Sequence, residues 1–96
     1  MTTPTPRSIR NSIDKALASL GLTKKIDEYK VLDLWPTVVG ERIANVTIAE
    51  RMYDGKLYIH VTRAPWRNEL VFLKKEIKEK INAAMGGEIV SDIIFR

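Results

Sequence analysis

Residues 65–85, PWRNELVFLKKEIKEKINAAM, decide the fold of this chain, because they have the pattern of one long amphipathic helix. Pro65 suits the first helical turn, where its missing N–H has no partner to lose, and Gly86-Gly87 supplies residues that tolerate positive φ at the end. We therefore predict a helix with one face on the core. The apolar residues recur at steps of three and four, on one face of a helix with 3.6 residues per turn: Trp66, Leu70, Leu73, Ile77, Ile81, Ala84 and Met85.

The composition of the 96-residue chain is that of one small globular domain, with 45% apolar residues. The formal net charge is +4 and the pI is near 9.5, a mild basic excess that weakly favours partners carrying phosphate. The chain has no cysteine, which excludes disulfides, thiolate zinc ligands and a cysteine nucleophile. The N-terminus has no apolar signal segment, and no run is long enough to span a bilayer. We therefore expect a cytoplasmic protein that does not enter the membrane.

The N-terminal part of the chain divides into a loose segment and a first helix. Residues 1–7 contain Thr and Pro and almost nothing to bury, so we expect this segment to be flexible and assign residues 8–96 to one domain. Ser8 can cap a helix whose apolar residues recur at helical spacing, and Gly21 can end it.

A second helix is predicted from Thr23 onward, with apolar residues at helical spacing as far as Val39. Pro36 lies inside this pattern, where it removes one backbone hydrogen bond and crowds the preceding turn, at about 3 kcal/mol. We therefore predict a kink or a break at Trp35-Pro36, with a short helix resuming there and running to about Ala44.

From Val46 the period of the apolar residues changes to two, which is typical of strands. Asp54-Gly55 stands between two such runs and predicts a hairpin with a type I′ turn. In the simple register Met52 faces Leu57 and Ile48 faces Val61, but Glu50 falls on the apolar face. Either a bulge rotates Glu50 outward or the strand begins to leave the sheet there.

Residues 88–95 are predicted to form a last strand, and their apolar side chains on both faces favour an interior position. A right-handed crossover through the long helix makes this strand parallel to Lys56–Val61, beside the hairpin partner of that strand. We therefore predict an α+β fold of order α-α-β-β-α-β with a small three-stranded mixed sheet. Helices cover one sheet face, and Tyr53, Tyr58 and His60 lie on the other.

A spaced series of residues runs through the chain from Trp35 onward. Its members are Trp35, Val38-Val39-Gly40, Ala44, Thr47, the stretch 55–61, Trp66-Arg67-Asn68-Glu69-Leu70, Ile81-Asn82 and Ile93-Ile94-Phe95. In order and spacing this series resembles the DciA-like family, small bacterial proteins long described as a domain of unknown function. The similarity covers roughly Val31 to the C-terminus. The resemblance implies a KH-like fold of the second type, binding to single- and double-stranded DNA, and an association with the replicative helicase DnaB in DNA replication.

Catalytic chemistry has little support in the sequence. His60 is the single histidine and sits mid-strand, and no serine or carboxylate pair has the spacing of a triad, a dyad or a metal site. No glycine-rich phosphate loop follows a strand. We therefore expect no enzyme activity, no cofactor and no bound metal.

Basic residues give the sequence its main candidate for nucleic-acid binding. The candidates are Arg63, Arg67, Lys74, Lys78 and Lys56, with Arg96 as a possible extension. Cations along one helix side can neutralise successive phosphates and release counterions. The alternative is a solvated face laced by pairs such as Glu76–Lys80. Tyr58 has two interpretations as well, stacking on a base or packing across the strands.

Protein recognition is the other candidate function, with Trp66, Val71 and Phe72 as partner-binding residues. Trp66 beside arginines has the composition of an interface anchor, although it also begins the apolar face of the helix. Val71 and Phe72 lie off that face and predict an exposed apolar patch, unless the first helix covers them.

The leading hypothesis is a non-enzymatic DNA-binding adaptor that assists loading or operation of the replicative helicase. The alternatives are a protein-interaction module without nucleic-acid binding and an RNA-binding KH-like protein. The sequence leaves open the oligomeric state and the preference for single or double strands.

Overall fold

The computed structural model of the protein describes residues 23–96, so the segment 1–7 and the helix predicted between Ser8 and Gly21 lie outside the described residues. The predicted α+β class, the mixed sheet and the order α-α-β-β-α-β are confirmed. The KH-like assignment is compatible with this order. The elements are α1 (Thr23–Val39), α2 (Glu41–Ala44), β1 (Thr47–Tyr53), β2 (Lys56–Val61), α3 (Ala64–Met85) and β3 (Asp92–Phe95).

Helix α1 passes through Pro36 and ends at Val39, so the break predicted at Trp35-Pro36 is wrong. Burial of Val31 and Trp35 holds this part of the helix on the core, and tertiary packing of this kind outweighs one missing backbone bond. The interruption falls at Gly40 instead, whose φ of 86° cannot continue a right-handed helix. The short helix α2 therefore begins after Gly40 and not at Pro36.

The hairpin has the predicted type of turn, with positive φ at both Asp54 (51°) and Gly55 (76°). The pairing of Met52 with Leu57 is confirmed, and the β1 register shifts between Ala49 and Arg51. Of the two alternatives for Glu50, the bulge is therefore the one found.

The bulge also decides which residues of β1 face the core. The predicted pairing of Ile48 with Val61 is wrong, because the extra residue moves the start of β1 by one position. Thr47 pairs with Val61 instead, and Ile48 pairs with His60. Ile48 consequently points away from the core and is 55% exposed.

The sheet has the strand order β1-β2-β3, with β2 antiparallel to β1 and parallel to β3. The predicted parallel direction of β3 is confirmed, but its interior position beside β1 is wrong, because β3 pairs with β2 at the sheet edge. The apolar residues of the segment 88–95 are therefore not explained by an interior strand. Val90 belongs to the loop before β3 and is buried in the core, where the Asn82 amide of α3 bonds both its N–H and its carbonyl at 2.9 Å.

The core lies between one face of the sheet and helices α1 and α3. Trp35 is buried there, and its indole N–H donates to Thr47 Oγ1 at 2.9 Å. The Thr47 hydroxyl donates in turn to the Ile43 carbonyl at 2.7 Å, which joins α1, α2 and β1 through one partly buried chain of hydrogen bonds. The core residues are Val31, Trp35, Met52, Leu57, Ile59, Val61, Leu70, Ile77, Ile81, Val90 and Ile93.

The other face of the sheet, here called the open face, is not covered by any helix within residues 23–96. Tyr53 exposes 66% of its surface there, and Tyr58 and His60 lie on the same face, as predicted. The strand registers place the following side chains on the open face: Ile48, Arg51, Tyr53, Lys56, Tyr58, His60, Asp92 and Ile94.

Candidate nucleic-acid interface

The predicted cations of the long helix do share one side of α3. Successive residues are about 100° apart around a helix, so Arg67, Lys74 and Lys78 fall within about 40° of one another. Arg63 precedes them as the N-cap residue of α3, with extended backbone. From Arg63 to Lys78 the helix rises about 22 Å. We call these four residues the helix track.

Lys74 differs from the rest of the track because it is already paired. Its ammonium lies 3.3 Å from Asp92 Oδ1, the same oxygen that accepts the Ile93 N–H at 2.8 Å. Partial burial raises the pKa of the Asp92 carboxyl, but the Ile93 N–H, Lys74 and Lys78 together outweigh burial and lower that pKa below its usual range. A phosphate that binds Lys74 must therefore compete with a carboxylate that stays ionised at neutral pH.

Lys56 adds a cation near Lys74 of the helix track. It is exposed at the start of β2, and its Cα partner on β3 is Asp92. Asp92 is thus a shared neighbour of Lys56 and Lys74, which the sequence did not indicate because they belong to three different elements.

The Glu76–Lys80 pair named as a sign of a solvated face is present, with 3.6 Å between Lys80 Nζ and Glu76 Oε1. Both residues are exposed and lie on the opposite side of α3 from Arg67. The pair neutralises Lys80 without engaging any cation of the track.

Trp66 is half-buried, and it packs against the core as well as against a charged residue. The guanidinium of Arg42, from α2, lies 5.1 Å from the centroid of the Trp66 ring, within the range of a cation–π contact. Part of the indole therefore stabilises the fold, while the remainder and Arg42 form a surface at the start of α3.

Val71 and Phe72 are exposed by 51% and 88%. Phe72 lies nearly opposite the buried residues Leu70 and Ile77 around the helix, whereas Val71 lies beside the helix track. The alternative that the first helix covers this patch concerns residues outside the described part of the chain.

The structure also reveals a cluster on the open face that the sequence showed only in part. The guanidinium carbons of Arg51 and Arg96 lie 4.8 Å and 5.2 Å from the centroid of the Tyr58 ring. The bulge residue Glu50 bonds Arg96, with 3.6 Å between Oε1 and Nε. Arg51 was not among the predicted site residues, although it opposes Tyr58 in the simple register as well as in the bulged one. The signal was present in the sequence, since the register set by the Asp54-Gly55 turn already pairs Arg51 with Tyr58.

Within residues 23–96 no group of three or more His, Cys, Asp and Glu side chains is placed to hold a metal ion. His60 is exposed on the open face, and the described part of the chain contains no helix with the length and apolar composition of a membrane span.

The fold and these surfaces define a small α+β domain with a basic helix side, an exposed apolar patch and an open sheet face. Comparison with known families agrees with the resemblance indicated by the series of residues from Trp35 onward. The model of the family described as "Dna[CI] antecedent, DciA" matches residues 8–95. The chain belongs to the DciA family, which is associated with the helicase DnaB.

Curated relatives come from Actinobacteria and carry the name UPF0232 protein. The protein from Rhodococcus jostii is 33% identical over 73 residues, which are 76% of this chain and 39% of the relative. That from Mycolicibacterium paratuberculosis is 29% identical over 73 residues, 76% of this chain and 40% of the relative. That from Mycobacterium tuberculosis is 25% identical over 88 residues, 92% of this chain and 47% of the relative. The chain thus spans less than half the length of these relatives.

Proposed function

We propose that this chain is a non-enzymatic, DNA-binding adaptor that works with the replicative helicase in the bacterial cytoplasm. Membership of the DciA family supports the association with the helicase. The observation that carries the DNA-binding part is the helix track, which aligns Arg67, Lys74 and Lys78 on one side of a 22-residue helix with Arg63 at its head.

The helix track suits a phosphate backbone and not a base sequence. Its members are long cations that can reach successive phosphates, and binding them releases condensed counterions. Contacts of this kind position a protein on DNA without reading bases, so we expect affinity that depends on salt and hardly on sequence. Arg67 is exposed and therefore contributes more than Lys74, which is held by Asp92.

A separate surface of α3 is proposed to contact the protein partner. Phe72 projects from the outer side of the helix, Val71 lies next to it, and Trp66 with Arg42 lies at the helix start. Exposed aromatic residues beside arginine are typical of interface centres. Phe72 lies on a different side of α3 from the helix track, and Val71 lies between the two.

The DNA-binding part is tested by fluorescence anisotropy with a labelled single-stranded oligonucleotide at two salt concentrations. The double variant Arg67→Ala/Lys78→Ala removes two track cations, and Lys75→Ala/Lys80→Ala removes the same charge from other sides of α3. We expect the first variant to bind several-fold more weakly than the second. Equal affinities of the two variants would show that the track is assigned wrongly.

The exposure of Phe72 favours a second candidate, a protein-interaction module whose basic side is only solvated. Phe72→Ser separates the two, because it should abolish helicase binding while leaving DNA affinity unchanged in an adaptor that binds both. A wild-type chain that binds the helicase but no oligonucleotide, even at low salt, would favour the module.

A further inference from the structure

The centre of the open face carries an aromatic ring flanked by two arginines from different strands. Tyr58 stands on the middle strand β2, Arg51 reaches it from β1, and Arg96 reaches it from the end of β3. The backbone of Arg96 is fixed through both of its polar groups. Its N–H donates to the Ile59 carbonyl, and its carbonyl accepts from the Val61 N–H. The three side chains are therefore held together by the sheet itself.

The charge of the open face matches an anionic partner. Arg51, Arg96 and Lys56 are exposed cations on or beside it. Two carboxylates that border the face each have a cationic partner: Asp92 bonds Lys74 and Glu50 bonds Arg96. Ile48 and Tyr53 add exposed apolar and aromatic surface around the cluster.

From this arrangement we propose that the open face is a second nucleic-acid site, which holds unpaired bases of single-stranded DNA on Tyr58 and the guanidinium planes of Arg51 and Arg96. Bases stack on both tyrosine rings and guanidinium planes, and guanidinium groups keep N–H donors at their edges for phosphate. A duplex cannot use this surface in the same way, because its bases are already stacked on one another. The site therefore gives the chain a preference for single strands, which the helix track alone does not supply.

The bulge gives this site a built-in competitor. Glu50 is the unpaired extra residue of β1, and its carboxylate occupies Arg96 in the unbound protein. A phosphate that binds Arg96 must displace this carboxylate, so Glu50 limits the affinity of the site. Removing its charge while keeping its shape should consequently strengthen binding, which is an effect opposite in sign to that of the other substitutions.

This inference rests on the proposed function in one respect, since both require that the chain binds DNA. They differ in the chemistry that is recognised. The helix track takes phosphates, whereas the open face takes bases, so an oligomer of abasic sugar phosphate binds the first and has nothing to stack on the second.

The test measures anisotropy with three labelled ligands of equal length: oligothymidylate, an abasic oligomer and a duplex. Tyr58→Leu keeps an apolar side chain and removes the ring, whereas Tyr58→Phe keeps the ring and removes only the hydroxyl. We expect Tyr58→Leu to weaken oligothymidylate binding about tenfold and to leave the other two ligands unchanged. Glu50→Gln should strengthen oligothymidylate binding by about twofold to fivefold. Arg51→Gln, at an exposed position, should weaken it and keeps the test valid if Tyr58→Leu does not fold.

The outcomes separate the two proposals. If wild-type protein binds oligothymidylate and the abasic oligomer equally, or if Tyr58→Leu and Tyr58→Phe bind oligothymidylate alike, stacking on the open face is wrong while phosphate binding by the helix track stands. Loss of helicase binding by Tyr58→Leu at unchanged oligonucleotide affinity would overturn the inference and make the face a protein interface. If wild-type protein binds none of the three ligands, the DNA-binding part of the proposed function fails first.

Discussion

The helix track and the open face present cations in two different ways. On α3 the cations lie along about 22 Å of one helix side, without an aromatic residue among them. On the sheet, two arginines converge on one ring, drawn from the two outer strands. A line of charges suits a phosphate backbone, whereas a compact group of flat side chains suits unpaired bases.

The largest expected effect removes both surfaces together, because they stand on the same core. Trp35→Ala should lower the free energy of unfolding by about 3–5 kcal/mol, since it empties a fully buried site and leaves the Thr47 hydroxyl without its donor. Urea denaturation followed by circular dichroism measures this loss. Trp35→Phe is the control that keeps most of the volume and should lose clearly less; equal losses would contradict the role given to packing.

The next prediction concerns the loop before β3, which the Asn82 amide of α3 holds in place. Asn82→Ala removes the two hydrogen bonds that hold Val90 and leaves a buried N–H and carbonyl without partners, at about 1–3 kcal/mol. Asn68→Ala is the matched change at an exposed position of the same helix and should stay within about 0.5 kcal/mol of the wild type. The measurement is urea denaturation of both variants. Similar midpoints would mean that the Asn82 amide does not anchor β3.

Salt dependence distinguishes contacts with phosphates from contacts with bases. Each phosphate contact on a single strand contributes about 0.7 to the slope of log affinity against log salt, so Arg67→Ala/Lys78→Ala should flatten the slope by about 1.4. Tyr58→Leu should weaken binding at every salt concentration without changing the slope, because a base contact releases no counterion. Titrations at a series of salt concentrations give both slopes, and a flattened slope for Tyr58→Leu would contradict this division.

The smallest effect concerns Asp92, which borders both surfaces. Its pKa is lower in the folded protein than the unperturbed value of 3.8, so the unfolded state binds the proton more readily and stability rises with pH in this range. The contribution is therefore present above about pH 4 and is lost as the pH falls through the lowered pKa. Asp92→Asn should abolish this dependence, and the loss is small because both partners are partly exposed.

Unfolding free energies of Asp92→Asn and wild type at about pH 3 and about pH 6 measure this contribution. A difference between the two proteins that is the same at both pH values would show that the ion pair with Lys74 does not stabilise the fold.

Local patterns in the sequence were enough to predict the long helix and the hairpin turn. Helix α3 runs from Ala64 to Met85, against a prediction of Pro65 to Met85, because its apolar period and both end signals agree. Asp54-Gly55 forms the expected turn, since few other backbone conformations suit that pair between strands.

The errors arose where tertiary packing overrides a local rule. Burial of Val31 and Trp35 carries α1 past Pro36, and Val90 packs in the core from the loop before β3, where the Asn82 amide bonds its backbone. The position of Ile48 on the open face depends on a one-residue shift at Glu50, because a shift of one exchanges the two faces of a strand. The five predicted cations were found on the surface, but the pairing of Lys74 with Asp92 joins two elements that no local pattern connects.

The position of β3 has a consequence for motion. It is a four-residue strand at the sheet edge that returns to β2 only after the whole of α3, and its last pairing is the one that places Arg96. Short edge strands open locally at a lower free energy than the core beneath them. When the end of β3 frays, the Arg51–Tyr58 contact and the track cations of α3 remain. The Arg96–Tyr58 contact and the ion pair between Arg96 and Glu50 are lost together. Hydrogen exchange at Arg96 and Val61, whose amides close this pairing, would therefore report how often the open face is complete.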